Sequence, residues 1–308
     1  METGNRYPFQ PAYLGLLQSG ELEQRAQLAY QRLERCELCA VRCRINRRSG
    51  KVGGCRTGEL ARVSGFSPHF GEEAVLNGTH GSGTIFFAGC NLRCQFCQNW
   101  DISPKSSGDE VTSAELAGMM LSLQERGCHN INLVSPSHVL PMILAAVQLA
   151  AQRGLRLPLV YNTGGYDSLE SLKLLDGVVD IYLPDMKFAL PQVARRYAKV
   201  INYPKINQDA VLEMYRQVGD LQLDQDGLAQ RGLMVRHLVL PNGLAGSEAV
   251  MHFLSTQVSK NTYVNIMNQY RPAFEARIYP SLNRAIRPEE YQSALQLARQ
   301  AGLTRLAL

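Results

Sequence analysis

Three cysteines form the pattern with the most specific chemical meaning in this chain. They lie in the segment GCNLRCQFC, at Cys90, Cys94 and Cys97. Thiolates spaced C-x3-C-x2-C on one loop can hold three corners of a cubane [4Fe–4S] cluster, which normally takes four cysteines. The fourth iron is then open to a small molecule. The spacing therefore predicts a cluster that does chemistry at its open corner.

Chance, zinc and a cluster of plain buried thiols are the alternatives to this interpretation. With eight cysteines in 308 residues, the pattern arises by chance about 0.005 times per chain. A zinc site needs a fourth ligand, and the nearest histidine, His80, lies ten residues before Cys90. The spacing favours the iron–sulfur cluster over all three.

The segment GCNLRCQFCQNW resembles the cluster-binding loop of radical S-adenosylmethionine (SAM) enzymes, which has the same C-x3-C-x-aromatic-C form. More closely, the chain resembles the branch related to pyruvate formate-lyase activating enzymes, and within it a poorly characterised set of homologues. The resemblance covers most of residues 30–280 and runs through the segments GSGTIFFAGCNLRCQFCQNWDIS, NLVSPSHV, YNTGGYDS, YLPDMKF, GLMVRHLVLPNG and YVNIMNQYRP.

This resemblance implies that a [4Fe–4S] cluster and SAM are the cofactors. In the superfamily, the amino and carboxylate groups of SAM chelate the open iron. One electron then cleaves SAM to methionine and a 5′-deoxyadenosyl radical, which abstracts hydrogen from a substrate. Carried over, Cys90, Cys94 and Cys97 are the cluster ligands, and Phe96 either lies near the adenine or is a plain core aromatic. Trp100, the only tryptophan, is expected in the core rather than in the wall of the site.

Four further cysteines precede this loop, with the spacing C-x2-C-x3-C-x11-C. They are Cys36, Cys39, Cys43 and Cys55. Four thiols complete a metal site by themselves, and the site takes either an auxiliary [4Fe–4S] cluster that relays electrons or a structural zinc. The basic residues around them either recruit an acidic reductant, such as a flavodoxin or ferredoxin, or form a solvated charged face. Cys128 stands alone and is expected to be a buried free thiol.

The elements that must position these residues alternate between strands and helices from residue 83 onward. The predicted strands are 84–88, 130–134, 157–161, 178–183, 233–240 and 262–267. The predicted helices are 113–126, 139–153, 168–175, 208–218, 247–258 and 288–301, with one earlier helix at 21–35. Such alternation is typical of βαβ units around a parallel sheet.

Six units are too few for a closed eight-stranded barrel. They match the partial (β/α)6 TIM-type barrel of radical SAM enzymes, with the cluster loop after the first strand. We therefore predict an α/β fold in two parts. Residues 1–80 form an N-terminal Cys-rich metal-binding extension, and residues 81–308 form the partial barrel. Residues 221–233 interrupt the pattern and are predicted to form a hairpin that turns at Asp226 and Gly227.

Polar residues follow or end most of the predicted strands. Active sites of parallel barrels form at the C-terminal ends of the strands, so these side chains are candidates for the site. They are Ser135, Ser137, Asn162, Thr163, Asp185, Lys187, Arg236, His237 and Asn265.

The resemblance suggests roles for the first five of these residues. Ser135 and Ser137 stand where activating enzymes have a Gly-Gly-Glu type motif that binds the amino group of SAM, unless Ser135 only caps the next helix. Asn162, Thr163 and Asp185 correspond to a monovalent-cation site near SAM, in which Asn162 replaces an aspartate. The lost charge weakens such a site, because hard cations prefer anionic oxygen.

The basic candidates are expected to bind carboxylates. Lys187 holds the carboxylate of SAM or a substrate backbone, or it pairs with Asp185. Arg236 is the better carboxylate clamp, since a guanidinium binds a carboxylate through two hydrogen bonds. His237 is a candidate for contact with the substrate. Adjacent strand residues face opposite sides, so only one of Arg236 and His237 points into the barrel.

Composition and charge exclude several classes of protein. The chain is 45% hydrophobic and 19% charged, with a net charge of +5, which argues against disordered, collagen-like and coiled-coil proteins. The charge is too weak to indicate binding to nucleic acid or to a membrane surface. Residues 139–151, the longest apolar run, contain Pro141 and Gln148 and fall short of the ~20 residues that cross a bilayer. The start, METGNRYPFQPAYLG, is unlike a signal peptide, so a cytoplasmic location is expected.

Two classes of enzyme and one non-enzymatic class remain. The first is a radical SAM oxidoreductase that abstracts hydrogen from a glycine of a partner protein, as glycyl-radical activating enzymes do. The second uses the same radical on another peptide, a nucleic acid or a small molecule. The third is an iron–sulfur or zinc protein that carries electrons or binds a partner. The third needs neither an open iron nor a six-unit barrel, so the sequence favours an enzyme.

Overall fold

The chain folds around one sheet whose strands follow an almost sequential order. The structure is a computed structural model that describes residues 9–307. The strands are β1 (Ala61–His69), β2 (Ser82–Phe87), β3 (Asp109–Val111), β4 (Ile131–Val134), β5 (Leu159–Thr163), β6 (Ile181–Pro184), β7 (Gln222–Leu223), β8 (Ala229–Leu238), β9 (Tyr263–Met267) and β10 (Leu306–Ala307). Their order in the sheet is β10-β9-β8-β6-β5-β4-β2-β1-β3, and β7 pairs with β8 off this path.

The helices cover the sheet and connect most of its strands. They are α1 (Tyr13–Ser19), α2 (Glu21–Gln31), α3 (Ala74–Asn77), α4 (Ser113–Glu125), α5 (Leu140–Gln152), α6 (Leu169–Leu175), α7 (Pro191–Tyr197), α8 (Tyr203–Val218), α9 (Ser247–Phe253) and α10 (Pro288–Gln300). From β2 to β9, six parallel strands are each followed by at least one helix. The predicted α/β fold with six β/α units is therefore confirmed.

The central strands form because most of their residues are apolar, apart from Asn162 and Thr163 at the end of β5. All the residues of β5 and β6 are buried, as expected of parallel strands that have covering layers on both sides. Local signals set the helix ends. Thr112 and Glu115 form a capping box at the start of α4, which satisfies amide groups that the helix leaves free. At α10, Pro288 is the first residue and Gly302 lies just beyond the end with a φ of 87°.

The hairpin predicted at residues 221–233 is confirmed. β7 and β8 are antiparallel, and the turn between them is held by the side chain of Asp224. Its Oδ1 accepts hydrogen bonds of 2.9 Å from the backbone N–H groups of Asp226 and Leu228. Gly227 has a φ of 79°, a conformation that glycine adopts without steric cost.

Residues 9–80 pack onto the barrel rather than beside it. β1 pairs with β2 in antiparallel fashion, and α1 and α2 belong to the same apolar core as α5. The hydroxyl of Tyr13 donates a 3.0 Å hydrogen bond to the carbonyl of Leu157. Sequence analysis missed β1, α1 and α7, and the division of the chain at residue 80 stays a prediction.

Among residues 9–307, no helix is long and apolar enough to cross a membrane. Residues 1–8, which make up half of the segment that was compared with signal peptides, lie outside the described residues.

Candidate functional site

A cavity of about 540 Å³ opens at the C-terminal ends of the parallel strands. The loop after β2 contributes Cys90, Cys94 and Cys97 to its wall. Five other strand ends contribute polar side chains. These are Ser135, Asn162, Thr163, Asp185, Lys187, Arg236, Asn265 and Gln269. The fold thus brings the three cysteines and most of the polar candidates to one place.

The cysteine loop is fixed at both of its flanks. It leaves β2 through Gly89, whose φ is 81°. Further along, the N–H groups of Arg93 and Gln95 donate to the carbonyls of Ala198 and Tyr197, at 3.1 Å and 2.7 Å. The loop therefore lies between the end of β2 and the end of α7, with its thiols facing the cavity.

Burial keeps the thiols of this loop in their neutral form. Burial raises the pKa of Cys90 to about 11, and it also raises the pKa of Cys94, against the effect of the nearby Lys187 charge. A thiol must lose its proton to bind a metal. The protein favours the thiolates only when a metal group takes the place of the protons.

Lys187 and Asp185 form an ion pair inside the cavity wall. The ammonium donates a 2.6 Å hydrogen bond to Asp185 Oδ2, and both side chains are mostly buried. Burial opposes the charge of Lys187, but Asp185 and the Cys94 thiol raise its pKa. The pairing that sequence analysis left open is therefore present, and Lys187 neutralises the carboxylate that a cation site would need.

Arg236 lies in the same wall but is already bound to carboxylates. Its Nε and Nη2 donate 2.6 Å hydrogen bonds to the two oxygens of Glu73, and Nη2 also pairs with Glu72. Asn265 Nδ2 donates to Glu73 Oε1 at 2.7 Å, and Asn162 Oδ1 lies 3.5 Å from Nη1. Although burial opposes it, the bonds from Arg236 lower the pKa of Glu73. The expected free clamp is a closed network.

Sequence reasoning missed both glutamates of this network. They lie in the turn that leads into α3, far from any predicted strand end. Only the acidic pair that follows Gly71 marked them in the sequence.

The family of this chain follows from a comparison with known protein families. The model of the radical SAM superfamily matches residues 84–242, just over half of the chain. The chain belongs to the radical SAM superfamily. It is accordingly an enzyme, which excludes the electron-carrier alternative, and membership implies a [4Fe–4S] cluster and SAM as cofactors.

The chain is also similar to individual proteins. A protein of Methanocaldococcus jannaschii described as uncharacterized is 33% identical over 290 residues, which is 92% of this chain and 79% of that protein. The FeFe-hydrogenase maturase HydG from Carboxydothermus hydrogenoformans matches with a TM-score of 0.50 and 14% identity over 71% of this chain and 50% of its own. A radical SAM methyltransferase from Sphaerobacter thermophilus matches with a TM-score of 0.49 and 16% identity, over 71% and 64%.

The donor set of this radical SAM protein fits the implied cluster. Within residues 9–307, no three cysteine, histidine or carboxylate side chains are gathered closely enough to hold a single metal ion. A cubane differs from an ion, since it binds each thiolate at a separate corner. Three thiols around one cavity satisfy that requirement.

The two serine candidates have different environments. Ser135 lines the cavity with a φ of 61° and does not cap α5, whose N-cap position is Val139. The expectation that Ser137 lies at the SAM site is wrong. Ser137 is buried beneath the cavity, where its hydroxyl donates a 2.6 Å hydrogen bond to Asp167 Oδ1. Because its hydroxyl is bound to Asp167, Ser137 does not present it to the cavity.

Asp167, buried beneath the cavity, is a further side chain that sequence reasoning missed, although it lies in the YNTGGYDS segment. It accepts hydrogen bonds from Ser137, from Thr163 at 2.7 Å and from Tyr161 at 3.1 Å. Burial raises its pKa, and these three hydroxyls oppose the shift. Thr163 lines the cavity, but its hydroxyl proton is committed to Asp167 and its oxygen accepts from the N–H of Gly165.

The expected contact between His237 and the substrate is wrong. His237 is fully buried on the far side of β8, between the carbonyl of Met186 at 2.7 Å and the hydroxyl of Ser247 at 2.9 Å. Arg236 faces the cavity, so the alternation of strand side chains predicted this outcome.

The two aromatic candidates divide between the core and the surface. Phe96 lines the cavity and also packs edge-on against Phe188 and Tyr270, with centroids 6.0 and 5.9 Å away. The expectation that Trp100 lies in the core is wrong, since it is 38% exposed. It stacks on Phe274 and has the ammonium of Lys105 4.2 Å from its ring centroid.

The four N-terminal cysteines line a cavity of their own. Its volume is about 270 Å³, and its wall contains all four. Cys36, Cys39 and Cys55 are buried, and Cys43 is partly exposed. The structure therefore brings together the four residues that the spacing had grouped. Cys128 is buried, as predicted.

Proposed function

We propose that Cys90, Cys94 and Cys97 hold the [4Fe–4S] cluster of this radical SAM enzyme and that SAM binds in the 540 Å³ cavity beside them. The cluster, when bound, supplies the electron that cleaves SAM to methionine and a 5′-deoxyadenosyl radical, which abstracts hydrogen from the substrate. The observation that carries the proposal is that three thiols and the polar ends of five strands line one cavity.

Different residues of the cavity wall contact the cluster ligands, the polar groups of SAM and its adenine. Lys187 is paired with Asp185 but also lies beside Cys94, where its charge favours the thiolate form of that ligand. Glu73, kept ionised by Arg236, and Asn265 present oxygen atoms to the amino and hydroxyl groups of SAM. Ser135, Asn162 and Thr163 complete the polar wall, and Phe96 supplies an apolar face for the adenine.

A peptide segment is the proposed substrate, specifically a glycine of a partner protein. The likeness to the activating-enzyme branch supports this choice, and so does a second cavity. That cavity, of about 550 Å³, adjoins the first at Gln98 and is lined by Trp100, Phe274, Lys105 and Arg271. Exposed aromatic and basic side chains beside the mouth suit a chain segment more than a small molecule.

The test of the proposed function is SAM cleavage by the reconstituted protein. The enzyme is loaded anaerobically with iron and sulfide, reduced with dithionite and incubated with SAM. We expect 5′-deoxyadenosine and methionine in equal amounts, measured by mass spectrometry. A protein that holds a cluster and binds SAM but leaves it intact would overturn the proposal. An organic radical signal on a co-expressed partner protein, measured by electron paramagnetic resonance, tests the glycine substrate separately.

A further inference from the structure

The cavity around the four N-terminal cysteines is also lined by a buried arginine, Arg47, and a buried histidine, His138. We propose that Cys36, Cys39, Cys43 and Cys55 hold a second iron–sulfur cluster, which passes one electron to the cluster at Cys90, Cys94 and Cys97. The destination of that electron rests on the proposed function above. The presence of the second cluster does not.

A buried arginine places a positive charge beside the thiols of this site. Arg47 is 1% exposed. Its guanidinium donates to the carbonyls of Gly58 and His138, and Nη1 lies 3.8 Å from Cys36 Sγ. Among residues 9–307, none of its acceptors is a carboxylate. A buried charge is costly unless an opposite charge lies beside it. Metal-bound thiolates supply that charge.

His138 points to a ligand in the same cavity. The side chain is buried and lines the cavity wall. Nε2 lies 3.0 Å from the carbonyl of Ala88 and therefore donates to it, which leaves Nδ1 with a lone pair. Within the described residues that atom has no hydrogen-bond partner. Buried polar atoms are rarely left without one, so the missing partner belongs to a bound group.

The backbone around the cysteines is bent into an unfavourable conformation. Arg42, Arg44 and Arg56 have φ values of 46°, 56° and 57°, and each is adjacent to a cysteine of the site. The left-handed region is uncommon for such residues and persists where the surroundings impose it. The chain thus wraps around the cavity at the cost of local strain, as expected of a loop that encloses a bound group.

The spacing of the thiols favours a cluster over zinc. A structural zinc ion lies about 2.3 Å from four sulfur atoms, so its thiols close around one point. Within residues 9–307, no three cysteine, histidine or carboxylate side chains are gathered that closely. The four thiols instead line a cavity, which suits a cubane because it binds each thiolate at a separate corner.

The second site touches the catalytic loop. A Cβ built on Gly89 would lie 2.3 Å from the carbonyl oxygen of Cys55, so the two backbones are in contact one residue before Cys90. Arg93, which lies between Cys90 and Cys94, lines both cavities. The catalytic loop thus meets the second site through the backbone of Gly89 and the side chain of Arg93.

This arrangement gives the electron a route from the surface. An acidic one-electron donor, of the flavodoxin or ferredoxin class, loses one electron and reduces the second cluster by one. The second cluster is reoxidised when it passes that electron to the oxidised cluster at the Cys90 loop. Arg42 and Lys199 are exposed near the outer side of the second cavity, together with Val41 and Ile201. Basic and apolar groups of this kind complement an acidic protein surface.

The decisive experiment removes the catalytic cluster and asks what remains. The variant Cys90→Ala/Cys94→Ala/Cys97→Ala is purified and reconstituted anaerobically, and its iron, sulfide and zinc are measured. We expect about four iron and four sulfide per chain and an electron paramagnetic resonance signal after reduction. One zinc per chain without such a signal would overturn the proposal. Because this readout involves no SAM, it stands or falls independently of SAM cleavage.

The relay is tested with the variant Cys36→Ala/Cys39→Ala. Dithionite is small and reduces the catalytic cluster directly, whereas a protein donor depends on the relay. We expect the ratio of flavodoxin-driven to dithionite-driven 5′-deoxyadenosine to fall about tenfold or more relative to the wild type. An unchanged ratio would contradict the relay. If that variant does not fold, Arg47→Gln replaces it in the same assay, and the ratio is expected to fall because the second site loses its counter-charge.

Discussion

Arg236 binds both carboxylate oxygens of Glu73, through Nε and Nη2, with two hydrogen bonds of 2.6 Å. The pair joins β8 to the turn before α3, which are 163 residues apart in the chain. Both side chains are largely buried, at 16% and 3% exposure. The pair therefore ties the segment before the barrel to β8, the fifth of the six parallel strands, and it fixes a carboxylate in the cavity wall.

Removing the arginine leaves two glutamates without a counter-charge. We expect Arg236→Ala to lower the free energy of unfolding by about 3–5 kcal/mol, since breaking one side of a buried ion pair strands the other. We also expect SAM to bind roughly tenfold more weakly, because Glu73 loses the charged hydrogen bonds that fix its carboxylate in the cavity wall, and one such bond is worth about 1.5–3 kcal/mol. Urea unfolding and calorimetric titration with SAM measure the two effects.

The double variant Arg236→Met/Glu73→Gln is the matched control for stability. It removes both charges of the main pair, so much of the lost stability should return while SAM binding stays weak. If Arg236→Ala unfolds at the same urea concentration as the wild type, the network is not structural. If SAM binding is also unaltered, Arg236 has no part in the site.

The barrel was predictable from the sequence because its signals are local. Each central strand is a short apolar run, and each helix that follows has a periodic apolar face or a proline or glycine at its end. The observed bounds of β4, for example, are Ile131–Val134, against a prediction of 130–134. Strand alternation also predicted that Arg236 and His237 would face opposite sides.

The missed parts depend on contacts between distant segments. Glu73 lies in the site because the chain before the barrel folds back onto β8. A contact between segments so far apart in the chain leaves no local pattern in the sequence. Ser137 and Asp167 were brought together by burial under the cavity, although both lie in segments that the resemblance had marked. Trp100 was expected in the core rather than in the wall of the site, but it lies in an exposed loop beside the cavity.

The assignment of the catalytic cluster ligands is tested most directly at Cys94. We expect Cys94→Ala to abolish 5′-deoxyadenosine production, because two thiolates remain where the cluster needs three protein ligands. The measurement is SAM consumption after anaerobic reconstitution. Cys128→Ala is the control, since Cys128 is a buried thiol outside the cavity and its replacement should leave SAM cleavage intact. Cleavage by Cys94→Ala at the wild-type rate would contradict the proposed ligand set.

Two buried histidines predict that stability falls in mild acid. Burial lowers the pKa of His138 and of His237 to about 4, whereas an unfolded histidine titrates near about 6.5. The unfolded chain therefore binds protons first as the pH falls, and the native state loses stability from about pH 6.5 down to about pH 4. Between pH 7 and pH 5 each histidine accounts for about 2 kcal/mol.

Replacing one of the two histidines isolates its contribution to the pH dependence of the free energy of unfolding. We expect the loss of unfolding free energy between pH 7 and pH 5 to be about 2 kcal/mol smaller in His237→Gln than in the wild type. Urea unfolding at the two pH values gives this difference. His252→Gln is the control, because His252 is exposed on α9 and its replacement should leave the pH dependence unchanged. Equal pH dependence in wild type and His237→Gln would mean that the histidine is already charged in the native state.

The contact between the two cysteine segments is tested by adding one methyl group. Gly89 has a φ of 81°, and a Cβ there would lie 2.3 Å from the carbonyl oxygen of Cys55. The left-handed conformation alone costs a non-glycine residue about 1–3 kcal/mol, and the backbone clash adds to it. We expect Gly89→Ala to lower the stability by more than that amount and to reduce the iron bound at both sites, because the segments must move apart.

Gly118→Ala is the matched control: Gly118 lies within α4 with open space around it, so alanine should stabilise the protein by about 0.5–1 kcal/mol. Wild-type iron content in Gly89→Ala would show that the two segments do not depend on their contact.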